Sequence, residues 1–143
     1  MTISQFQQSK LPIDRQSIRS PRLLQMIELI EVAQAPDGNR TIWKMLVDAG
    51  ASTEHILFRD PCEHDESMLP AALQFRVDTS KLKGFLIIVD NPFDRCFGIK
   101  VQPDEGASKL FGRVFAKVLG DRIADLVDDG SRRTAIPVVL LTQ

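Results

Sequence analysis

The chain has 143 residues, 43% of them hydrophobic and 26% charged, the size and make-up expected of one soluble globular domain; collagen-like, disordered and disulfide-scaffold chains are excluded. Eighteen Lys and Arg against nineteen Asp and Glu leave a formal net charge of −1, so nothing global draws the chain to nucleic acid or an anionic membrane. The N-terminal MTISQFQQSK is polar and no run approaches eighteen apolar residues, so a cytoplasmic protein with free thiols at Cys62 and Cys96 and no membrane partner is expected.

Residues 1–19 read as a mobile tail, rich in Gln and Ser and interrupted by Pro12. Lys10, Arg15, Arg19 and Arg22 against Asp14 give residues 1–22 a local charge of +3, so these four side chains are candidate phosphate contacts. A single domain is expected over residues 20–143: a helical hairpin at 20–50, an acidic loop at 51–70 and a β-β-β-α-β core at 71–143.

The first helix should start at Ser20, with Pro21 at the position where a missing N–H costs nothing, and stop before the turn Pro36-Asp37-Gly38-Asn39. Its polar residues Arg22, Gln25, Glu28, Glu31 and Gln34 recur every third position, so the polar stripe drifts by about 60° per step around the helix. The apolar residues Leu23, Met26, Ile27 and Ile30 therefore point in several directions. That suits burial between two layers of one fold or against a second subunit, and it makes the four candidate interface positions. A second helix follows, from Asn39 or Thr41 to Gly50. Helix-turn-helix DNA reading is disfavoured here, because Trp43 and its apolar neighbours leave only Arg40 or Thr41, Lys44 and Asp48 as an open polar face.

Residues 54–66 carry a local charge of −4 and read as a loop, with a short strand at 55–59. Leu73, Phe75 and Val77 then alternate with polar residues, the pattern of a half-buried strand. Residues 85–89 form a continuous apolar run, as in strands covered on both faces. Asp90-Asn91-Pro92-Phe93-Asp94 makes a turn into a returning strand at 96–101. A long helix is expected from Ala107 or Ser108, where Gly112, Ala116, Gly120 and Ala124 fall four apart. Small residues so spaced let another backbone approach, so Gly112, Ala116 and Gly120 join the candidate interface. A last strand over 135–141 completes an α+β fold with a mostly antiparallel sheet packed against helices.

The order helix, three strands, helix, strand resembles the core of the PD-(D/E)XK nucleases. The resemblance implies a Mg²⁺ site built from an acid on one strand and an acid-x-lysine pair on the next. The matching residues are Asp90 and Gly98-Ile99-Lys100, with glycine in place of the second acid. If the turn is 91–94, Asp90 and Lys100 stand about 16 Å apart along the sheet, too far to share an ion. The resemblance thus implies at most a degenerate nuclease-like core with nucleic acid as partner. His55, Cys62, His64 and Cys96, every His and Cys in the chain, are candidate ligands for a tetrahedral Zn²⁺, although their spacing matches no common zinc motif. G-x-S-x-G, Walker A and G-x-G-x-x-G signatures are absent, so no cofactor is expected. The reading is a protein-protein interaction or regulatory module rather than an enzyme, self-associating as a homodimer or bound to a protein partner.

Overall fold

The computed structural model of the protein describes residues 10–52, 56–61 and 69–131. Among them, helices α1 (Pro21–Val32), α2 (Ile42–Asp48) and α3 (Ala116–Val127) pack on one face of a five-stranded sheet. Its strands are β1 (Leu57–Arg59), β2 (Ala72–Asp78), β3 (Lys83–Asn91), β4 (Cys96–Pro103) and β5 (Lys109–Val114). Each strand pairs antiparallel with the next in chain order, an up-and-down meander, and the whole is an α+β fold. No described helix is long and apolar enough to cross a membrane.

The helical hairpin forms where its caps dictate. The Ser20 hydroxyl accepts the Leu23 N–H at 3.2 Å, with Pro21 first in α1, and the Thr41 hydroxyl accepts the Lys44 N–H at 3.1 Å at the start of α2. The wound apolar pattern of α1 serves its own fold: Leu23, Met26, Ile27 and Ile30 are all buried in the core and present nothing to a second subunit. That corrects their assignment as interface positions. Helix α3 packs close to the hairpin because Gly120 has no side chain; a Cβ there would lie 2.5 Å from the Gln34 carbonyl oxygen. The Trp43 and Phe75 rings meet at 6.0 Å, tying α2 to β2.

Three further expectations change. Residues 10–19 belong to the packed domain rather than to a mobile tail, since Leu11, Ile13 and Ile18 join the core. The Leu11 N–H donates to the Glu31 carboxylate at 2.6 Å, and Arg15 pairs with the same carboxylate. Residues 109–114 form β5, not the first turns of a long helix, so Gly112 lies in a strand and Ala116 opens α3. The small-residue stripe does not exist as one face. Finally, the β3–β4 turn is Pro92-Phe93-Asp94-Arg95, with Asn91 opposite Cys96. The expected last strand at 135–141 lies outside the described residues.

Candidate interaction site

The two faces of the sheet follow from strand alternation. Leu73, Phe75, Val77, Leu86, Ile88, Ile99 and Val101 point to the helices and are buried. The alternate residues Gln74, Arg76, Phe85, Ile87, Val89, Gly98, Lys100 and Gln102 point the other way and remain partly exposed. The continuous apolar run at 85–89, expected to be covered twice, is covered by the described residues on one face only.

A cleft opens on this second face. The register sets Arg59, Ala72, Val89 and Gly98 in one row across β1 to β4. The next row holds larger side chains: Leu57, Gln74, Ile87, Lys100 and Leu110. The small residues of the first row leave a depression of ≈ 730 Å³ floored by Val89 and Gly98. Leu110, Gly112 and Arg113 of β5 wall one side, and Pro61, Leu69 and Pro70 the other. The β3–β4 turn closes the end with Pro92 and Phe93. Such a size and mostly apolar lining are typical of ligand and partner sites. Around it stand exposed apolar side chains: Phe93 is 90% exposed, Leu110 72% and Leu69 51%.

Two arginines supply the charge. The Arg59 Nε donates to the Pro70 carbonyl at 2.6 Å, and neither Arg59 nor Arg113 is in an ion pair among the described residues. Arg113 also holds a left-handed backbone (φ 55°) where a bulge shifts the β4–β5 register. Asp90, which also borders the cleft, is committed elsewhere: Arg22 grips it through Nε at 2.9 Å and Nη2 at 2.7 Å. That bond raises the Arg22 guanidinium above its ordinary value.

A second group of charges is spent on the fold. Arg40, buried between the hairpin loop, α2 and α3, donates to Asp37 at 2.7 Å, Asp48 at 2.8 Å and Asp128 at 2.8 Å. Burial alone would push the Arg40 guanidinium down; its bonds to Asp48, Asp37 and Asp128 outweigh that and drive it up. Lys44 adds a second cation to Asp48 at 2.9 Å. The polar stripe of α2 is therefore an internal ion network, not an open face.

The basic residues expected on one arm are dispersed. Arg15 is paired with Glu31 and Arg22 with Asp90, while Arg19 extends into solvent with its guanidinium 4.0 Å from Asp60, and Lys10 is exposed. Cys96 is a buried free thiol; His55, Cys62 and His64 lie outside the described residues. No cluster of three or more His, Cys, Asp or Glu suited to a metal occurs among the described residues. The residues paired by the nuclease resemblance do not converge. Asp90 faces Phe97 and Lys100 faces Ile87, an offset of three residues or about 10 Å, which puts them on opposite faces of the sheet. Of the expected interface residues, only Gly112 borders the cleft; Ala116 is exposed at the start of α3 and Gly120 is buried against Gln34.

Comparison with protein-family models, curated proteins and solved structures gives no match for this chain.

Sequence reasoning missed Arg59, Phe93, Gly98, Leu110 and Arg113. The signal for them was present in part. An apolar run in β3 whose open-face neighbour is a mid-strand glycine marks a depression, but only once the register is known.

Proposed function

We propose that the chain is a non-enzymatic interaction module that associates with itself through the open face of its sheet. One observation carries the reading: Phe85, Ile87 and Val89, a run of the kind found in strands covered twice, face away from every described helix. Exposed Leu57, Leu69, Phe93 and Leu110 extend that apolar surface around the cleft. A second copy laid on this face would remove those side chains from water, at roughly 25 cal/mol per Å² of apolar area.

The reading is tested by sedimentation velocity of the full chain over a wide concentration range, beside Ile87→Lys and Leu110→Glu. A concentration-dependent dimer that both substitutions weaken at least tenfold supports it. A wild-type chain that stays monomeric at the highest concentration overturns it.

A further inference from the structure

We propose that two copies pair by reciprocal insertion, the β3–β4 tip Phe93-Asp94 of each entering the cleft of the other. This rests on the self-association reading and names the surfaces that meet.

The tip and the cleft are complementary in two respects. Phe93 presents an aromatic ring to water at 90% exposure, and the cleft offers ≈ 730 Å³ of mainly apolar space. Asp94 follows it, exposed, and among the described residues its carboxylate meets only the Asn91 amide, at 3.4 Å. Arg59 and Arg113 stand at the cleft with no carboxylate on either guanidinium among the described residues. An apolar knob followed by an anion thus matches an apolar hole flanked by cations. Arg95 completes the turn with a left-handed backbone (φ 54°), and the Asp94 N–H donates to the Asn91 Oδ1 at 3.3 Å, so the tip is held in shape before any encounter.

Symmetry makes the contact self-consistent. Phe93 stands at the end of its own cleft, so knob and hole share one surface, and a two-fold axis passing beside the turn can set each ring in the opposite hole. Both contacts form together and the assembly closes as a dimer.

The test measures dimerisation of the full chain by native mass spectrometry and sedimentation, with circular dichroism confirming each fold. Phe93→Ala removes the knob. Gly98→Leu fills the hole, and a Cβ there would make only ordinary contacts, 3.7 Å to the Phe111 carbonyl and 4.0 Å to Leu110. Each variant alone should dimerise at least tenfold more weakly than wild type. Mixed, they should recover part of the dimer, because the heterodimer keeps one insertion, that of Phe93 from the Gly98→Leu chain into the cleft of the Phe93→Ala chain, where each variant homodimer keeps none. Asp94→Arg should weaken dimerisation, and Arg113→Asp in the same chain should restore it. A wild-type dimer that tolerates both Phe93→Ala and Gly98→Leu overturns the insertion but leaves self-association standing. A wild-type monomer overturns both, as does a monomer whose added mass is a copurified organic anion.

Discussion

The two faces of one sheet are made from the same strands and differ in what lies against them. On the helix side, Leu73, Phe75, Leu86 and Ile88 are buried at 0% exposure and locked into a core with α1, α2 and α3. On the other side, Phe85, Ile87 and Val89 alternate with them along β3 and stay half-buried. Residue type does not distinguish the two; Ile87 and Ile88 are chemically identical neighbours. What separates them is whether something has been brought to cover them. The covered face is therefore where stability resides, and the face that the described residues leave open is where the proposed association would act.

That contrast can be broken first by cutting into each face equally. Ile88→Ala should cost about 2–5 kcal/mol in urea unfolding, because it removes a fully buried side chain from the core. Ile87→Ala on the open face should cost less than about half as much in the monomer. Equal losses would mean the two faces are equally enclosed.

Arg40→Met tests the ion network at the edge of the covered side. It removes the Arg40 cation from Asp48, a carboxylate only 1% exposed, and should destabilise by about 3 kcal/mol in urea unfolding. Gly120→Ala forces a Cβ against the Gln34 carbonyl and should cost about 1–3 kcal/mol, read as a lowered denaturation midpoint with unchanged slope.

Acid titration sharpens the picture at the sheet's far end. The Ser131 hydroxyl, with the Ser80 and Ser131 N–H groups, holds the Asp129 carboxyl well below the usual carboxylate range. Arg76 does the same for Asp104, and the Asn39 N–H and Arg40 for Asp37. A depressed folded-state value means the unfolded chain binds more protons. The stabilisation is therefore complete above the unfolded Asp value of about 3.9 and is lost as pH falls below it. Asp129→Asn should be less stable than wild type at pH 6, and the gap should narrow steadily as pH falls below the unfolded Asp value, closing only in strong acid. A gap that persists undiminished into acid would assign the effect to something other than charge.

The smallest effect lies at the tip. Arg95→Gly relieves a left-handed arginine and should raise stability by about 1 kcal/mol or less, while leaving Phe93 exposed.

The hairpin and the central strands were legible because local chemistry decided them. Ser20-Pro21 and Thr41 cap helices wherever they precede apolar periodicity, and Leu73, Phe75 and Val77 alternate as only a strand allows. The error at 109–114 had a physical cause. Leu110, Phe111, Val114 and Phe115 fit a helical period that runs into α3, yet hydrogen bonding to β4 overrides it, and Gly112 contributes little to a helix. The basic arm failed differently. Arg15 finds Glu31, Arg19 lies beside Asp60 and Arg22 finds Asp90, partners 16, 41 and 68 residues away. No local window contains both ends of such a pair. The open-face cleft was invisible for the same reason, since Arg59, Ala72, Val89 and Gly98 become a row only through register.

The Arg40 network has a consequence for how the chain emerges from the ribosome. Asp37 and Asp48 flank Arg40 within eleven residues of one another and are available as soon as the hairpin is made. The meander then follows one hairpin at a time, each strand finding the one just synthesised. Asp128, the third carboxylate on Arg40, arrives only after the whole sheet, carried by the end of α3. The Arg40 network thus draws its third carboxylate from the far end of the described chain, and it is complete only once α3 has been made and docked.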